Sequence, residues 1–267
     1  MQNIKQCIIV MLMFLSAAMS AQESVDLFSV PLSDPSATGK LIVSQISGSI
    51  DVQGYDGKEV IVKASFGQQN ATSKSKNGLK RIDNSSMNIS AEEKNNVIQI
   101  INGQHNRETN LSIMVPKNFA LKLRTINNGD IKVTGVTGEL EISNVNGAII
   151  MQNVGGSASV DTTNGNVKVV FNSIAANANM AFSSFNGDVD ITFPKTLKAD
   201  VKAKSDMGDV FTDFELAVDK QKPLVNKDQS SGTYKVKIEQ WLNGKINGGG
   251  PEMLFKTFNG DIIIRSK

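Results

Sequence analysis

Eight carboxylates stand where acid–base or metal chemistry would need them, at fixed offsets from glycines. Asp130, Glu139, Asp188, Asp209 and Asp261 directly follow a glycine, and Asp51, Glu141 and Asp190 stand three places after one. If the segments carrying them stack, side chains distant in sequence become neighbours. Paired carboxylates could then hold Ca²⁺ through oxygen ligands, or act as acid and base on a polysaccharide. Against this, Lys132 and Lys168 interleave with them, and the calcium-binding repeat G-G-x-G-x-D is absent. The expectation is that these carboxylates are solvent-facing charges that keep the surface soluble and protect sheet edges. No catalytic residue, cofactor ligand or metal ligand is therefore assigned.

Other chemistry is thinner. His105 is the single histidine and lies in a polar turn beside Arg107 and Glu108, where a solvated side chain is expected. No nucleophile elbow, P-loop or dinucleotide fingerprint occurs. The basic residues Lys74, Lys76, Lys80 and Arg81 lack interleaved aromatics, and a net charge of +2 carries no nucleic-acid signature.

The elements that position these groups are set by a glycine clock. Gly129, Gly138, Gly147, Gly156 and Gly165 recur every nine residues. The residues two and four places after each are apolar: Ile131 and Val133, Leu140 and Ile142, Ile149 and Met151, Ala158 and Val160, Val167 and Val169. That is strand alternation restarted by a turn. The signature returns after Gly48 (Ile50, Val52), Gly187 (Val189, Ile191) and Gly260 (Ile262, Ile264), and half returns after Gly208 (Val210, Thr212). Asn-Gly pairs at Asn128, Asn146, Asn164, Asn186 and Asn259 suit tight turns that need φ > 0. Stacked asparagines can also form a hydrogen-bonded ladder.

Repeats this short cannot bury a face alone, so they must stack. Two nine-residue units make one 18-residue rung, each hydrogen-bonded to the next at about 4.8 Å. The expected fold is all-β: a single-stranded right-handed parallel β-helix, or β-solenoid, with short irregular rungs. No stretch has a sustained helical pattern. Ile150, Phe211 and Ile263 point outward and suggest a sticky face for a partner or second sheet.

Lys5, the apolar run Cys7–Leu15 and the small residues of Ser16–Ala21 read as a signal peptide over residues 1–21. A leader follows over 22–40 and the solenoid domain over 41–267, with its most regular rungs at 125–212. Cys7 is the single cysteine, so thiol chemistry and disulfides are not expected after cleavage. No later segment is long and apolar enough for a spanning helix.

The pattern T-x-N-G-D-[IV]-x-[VI], full at Thr257–Ile264 and weaker at Asn128–Val133 and Asn186–Ile191, resembles a bacterial exported β-strand-repeat family related to adhesin-like envelope domains. The approach Val115–Leu123 is similar too. Ala148, Asn166 and Met207 depart from the pattern. The resemblance implies a parallel β-helix-like fold and an adhesin-like role, with no catalytic residues to carry over. The expected protein is a non-enzymatic envelope or cell-surface scaffold, periplasmic, outer-membrane-associated or extracellular. Its partner would be an envelope protein, a surface glycan or another copy. A polysaccharide-active or Ca²⁺-binding protein using the outward carboxylates is the alternative.

Overall fold

The computed structural model describes residues 25–66, 88–103, 107–219, 224–230, 233–239 and 241–267. The signal peptide, Cys7, His105 and the basic run from Lys74 to Arg81 lie outside the described residues. Every element within them is a strand, and 20 strands join one continuous sheet.

The alternation forms two runs of strands, one on each side of a shared core. In one, Ile50, Ile131, Ile149, Val167, Val189 and Ile262 stand in cross-strand register and are buried. In the other, the buried column is Ile100, Val43, Leu123, Ile142, Val160, Phe182, Phe255 and Ala203. Each large member contributes about 1.5–3 kcal/mol by leaving water. The strand Ile149–Asn164 bends from one run into the other and joins them. Four phenylalanines fill the core of the C-terminal half: Phe171 stacks on Phe193 at 5.3 Å and Phe182 on Phe255 at 5.5 Å.

A rung is named here by the glycine at its Asn-Gly corner. The Gly129 rung, for example, comprises Phe119–Thr125 and Ile131–Thr134. The nine-residue clock resolves into two corners: Gly129, Gly147 and Gly165 mark one edge of the stack, and Gly138 and Gly156 the other.

The rungs do not stack in chain order, contrary to the expectation that each bonds to the next. The Gly48 rung (Gly39–Ser44, Ile50–Tyr55) lies between the strands Val97–Asn102 and Thr109–Pro116 on one side and the Gly129 rung on the other. At the far end, the Gly260 rung (Glu252–Asn259, Ile262–Ser266) lies between the Gly187 and Gly208 rungs. Both termini of the repeat are thus buried inside the stack.

The fold is also mixed, where a wholly parallel helix was expected. Glu59–Phe66 runs antiparallel to Thr109–Pro116, and Val25–Pro31 runs antiparallel to Glu59–Phe66. Ile89–Lys94 covers Val97–Asn102 in the same sense. At the other end, Leu242–Ile246 and then Leu216–Asp219 close the stack antiparallel. Closing a stack with atypical strands covers apolar ends that would otherwise stay wet. The hairpin of Leu224–Ser230 and Thr233–Glu239 forms a separate sheet. No helix among the described residues is long and apolar enough to cross a membrane.

Candidate functional site

The Asn-Gly corner concentrates the repeated polar residues, and each motif position does one job between rungs. Three residues before the glycine, or four in the Gly129 rung, a buried or half-buried hydroxyl or amide donates to the glycine carbonyl of the neighbouring rung. Thr125 donates to Gly48 at 3.0 Å, Thr162 to Gly147 at 3.0 Å and Ser184 to Gly165 at 2.8 Å. Thr257 donates to Gly187 at 2.9 Å and Ser205 to Gly260 at 2.8 Å. Asn144 fills this place in the Gly147 rung and donates Nδ2–H to Gly129 at 3.0 Å. Gln45 fills it in the Gly48 rung, but donates to the Gly48 carbonyl of its own rung at 2.8 Å and to the Thr109 carbonyl at 3.2 Å. These bonds satisfy carbonyls that would otherwise be orphaned where the chain turns.

One residue before the glycine stands the asparagine ladder. Asn146 donates to Asn127 at 2.9 Å, Asn164 to Asn146 at 2.8 Å and Asn186 to Asn164 at 2.8 Å. The first member is Asn127, not the expected Asn128. The Gly129 corner holds one extra residue, and Asn128 takes it up at φ 54°.

One residue after the glycine, a carboxylate or amide oxygen accepts the backbone N–H of the equivalent residue on the next rung. Asp130 accepts from Ala148, Asn166 from Asp188, Asp188 from Asp261 and Asp261 from Asp209, each at 2.9 Å. Asn166 preserves the acceptor that Asp supplies elsewhere. Ala148 cannot, and interrupts the column.

The glycine itself is required mainly by close approach, which corrects the φ > 0 expectation at Gly147. Gly147 does not adopt positive φ. A Cβ there would instead collide with the Gly129 carbonyl oxygen, because stacked corners leave no room for one.

The sequence-predicted carboxylates thus divide by position. Asp130, Asp188 and Asp261 are acceptors within the scaffold, and Asp209 ends their column. Asp51 faces Lys132 on a neighbouring strand. Asp190 accepts from Arg265 at 2.8 Å and raises the guanidinium's pKa through that bond and its charge. Glu141 pairs with Lys122 at 2.7 Å on the opposite face. Glu139, Glu141 and Glu252 border an open groove of about 400 Å³ over Ser157, Ser159 and Ala181, and no aromatic lines it. Among the described residues, no group of three or more His, Cys, Asp or Glu is placed to hold a metal ion.

An outward column beside the ladder was not foreseen. The residue between the donor and the asparagine is Phe185 in the Gly187 rung and Phe258 in the Gly260 rung. The two rings stack at 4.9 Å and 4°, and are 50% and 40% exposed. Thr163 interrupts the column in the Gly165 rung; beyond it Val145 and Ile126 are half-buried, and Ile46 ends it, 40% exposed. The signal lay in the x of T-x-N-G, which alternation directs outward. On the other flank, Ile150, Ile263 and Phe211 point outward as expected, with Phe211 51% exposed.

A family model described as Toastrack DUF4097 matches residues 15–247. No curated protein matches the chain. Among solved structures, a candidate cell adhesion protein from Clostridium sporogenes ATCC 15579 is similar at 15% identity and a TM-score of 0.45, covering 92% of this chain and 100% of its own. A candidate adhesin from Bacteroides fragilis NCTC 9343 is similar at 11% identity and a TM-score of 0.37, covering 91% and 97%. A candidate adhesin from Parabacteroides merdae ATCC 43184 gives 8%, 0.29, 91% and 96%.

Proposed function

We propose that this chain, which belongs to the Toastrack DUF4097 family, is a non-enzymatic exported scaffold that presents its repetitive outer face to a partner in an adhesin-like role. In this reading residues 1–21 direct export, and the protein works in the periplasm, at the outer membrane or outside the cell. The central parallel rungs wind right-handed, as parallel crossovers do.

One observation carries the reading. Most of the repeated polar residues of the corner are committed to a neighbouring rung, while Phe185 and Phe258 beside them are exposed. Phe185 and Phe258 form a stacked pair in water, where a purely structural strand face would carry polar residues. An exposed aromatic pair at the centre of a patch is a common anchor for a partner.

The test is a pull-down with the chain from residue 22 onward, using envelope fractions, purified surface glycans and the protein itself as prey. A specific partner lost in a Phe185→Ser/Phe258→Ser variant of unchanged melting temperature supports the reading. Retained capture by that variant, or no capture from any of the three sources, refutes it.

A further inference from the structure

The asparagine ladder fails at two places, and both leave an Asn-Gly pair unprotected. At Asn146, Asn164 and Asn186 each side chain donates to the neighbouring rung. The N–H of each following glycine is also held: Gly147 donates to Asn164 O at 2.9 Å, Gly165 to Asn186 O at 2.9 Å and Gly187 to Asn259 O at 2.8 Å. Asn259 differs: it is in register with Asn186 but makes no such bond to it, and on its other side Met207 stands where an asparagine would donate to it. Among the described residues, neither the Asn259 side chain nor the Gly260 N–H has a hydrogen-bond partner. Asn128 differs because the extra corner residue puts Asn127 in the ladder instead. The Asn128 side chain and the Gly129 N–H are likewise without described partners, and Asn128 is exposed.

We infer that Asn128 and Asn259 are sites of spontaneous deamidation, and that the ladder protects the other three corner asparagines. The reaction needs no enzyme or oxidant. The deprotonated glycine nitrogen attacks the asparagine Cγ, a C–N bond forms to close a succinimide, and the side-chain nitrogen leaves as ammonia. Water then opens the ring at either carbonyl, giving aspartate or isoaspartate. The balance is asparagine plus water to acid plus ammonia. Glycine is the best following residue because it has no side chain to obstruct the attack. In the ladder, the reaction must first break the asparagine's bond and free the glycine nitrogen. Two such bonds slow it by roughly tenfold or more.

The product changes the corner. At Asn259 it places a new negative charge beside Asp261 and next to the exposed Phe258. The isoaspartyl form also adds a methylene to the backbone of a rung that lies inside the stack.

The experiment is incubation of the whole chain at neutral pH and 37 °C, with peptide mapping by mass spectrometry at intervals and isoaspartate detected enzymatically. Denatured chain gives the unprotected rate for the five corner pairs. The expected result is conversion at Asn128 and Asn259 at least roughly tenfold faster than at Asn146, Asn164 and Asn186. Met207→Asn, whose amide N–H would donate to Asn259 Oδ1 and hold that side chain, should slow that site and leave Asn128 unchanged. Equal rates at the five corner pairs in the folded chain overturn the inference. So does protection of Asn128 and Asn259 to the level of the ladder positions.

Discussion

Thr257 donates its hydroxyl hydrogen to the carbonyl of Gly187 at 2.9 Å, although 70 residues separate them. Thr257 is wholly buried. Thr257→Val keeps the shape and removes the donor, leaving a buried carbonyl short of a partner. The expected cost is about 1–3 kcal/mol, measured by chemical denaturation. Thr257→Ser keeps the bond and should cost about 1 kcal/mol for the lost methyl. Equal stability of the valine variant and the parent would show that this bond contributes nothing.

The same column contains a natural misfit. Asn144 supplies the donor in the Gly147 rung, but its Oδ1 is buried with no partner. Neighbouring rungs use Thr125 and Thr162 there. Asn144→Thr keeps a donor and removes the orphan acceptor, so it should stabilise the protein by about 1 kcal/mol. A higher thermal midpoint is the expected readout, and a lower one would mean that the amide volume itself fills the core.

The corner glycines separate two reasons for glycine that the sequence cannot tell apart. Gly147→Ala places a Cβ against the Gly129 carbonyl, and should cost about 1–3 kcal/mol or more through overpacking. Gly248 has φ +85° and open space around the site of a Cβ, so Gly248→Ala should cost only about 1–2 kcal/mol of backbone strain. Urea denaturation of the two variants ranks them. If Gly248→Ala proved the more damaging, stacking distance would not be the dominant constraint at the corner.

Periodicity made the strands visible because burial alternates with period two. It therefore yielded Ile131 and Val133 and their equivalents in every rung but that of Gly208, where Thr212 takes the second place. It also marked the corner, since Asn, Gly and Asp recur there for local chemical reasons. Stacking order was invisible: the inward residues of the Gly48 and Gly260 rungs match any neighbour equally well. The antiparallel sense of the covering strands is likewise not written in their alternation. Leu216–Asp219 is too short to show alternation, and Val25–Pro31 contains the proline that reads as a strand end. The Phe185–Phe258 pair was hidden because stacking joins residues whose separation in the chain has no period.

Acid should loosen the N-terminal cover first. Ser33 donates both Oγ–H and N–H toward Glu93, and Asn96 N–H donates to Glu93 Oε1 at 2.8 Å. These bonds lower the Glu93 pKa from its ordinary 4.5, the Ser33 side chain most. With the folded value depressed, the stabilisation is complete above the ordinary value and is lost as pH falls through the folded one. The parent should therefore lose more thermal stability between pH 6 and pH 3 than Glu93→Gln does, by scanning calorimetry. Identical pH profiles would remove Glu93 from the account.

The final rung offers the most demanding test of the stacking order. In an ordinary solenoid the last repeat touches one neighbour, so deleting it sacrifices one interface. Here the last residues pair on both sides: Ile262 is in register with Val189 and with Val210, and Phe255 with Phe182 and with Ala203. Phe255, Ile262 and Ile264 are buried. Ending the chain at Gly250 would strip both interfaces at once and separate the Gly208 rung from the rest. The shortened chain should lose cooperative unfolding in its C-terminal half, and proteolysis should cut between residues 194 and 219 while sparing the rungs from Gly48 to Gly165. A shortened chain that melts within a few degrees of the parent would mean that the Gly208 rung docks directly on the Gly187 rung, so that the interior position of the last rung is not needed for stability.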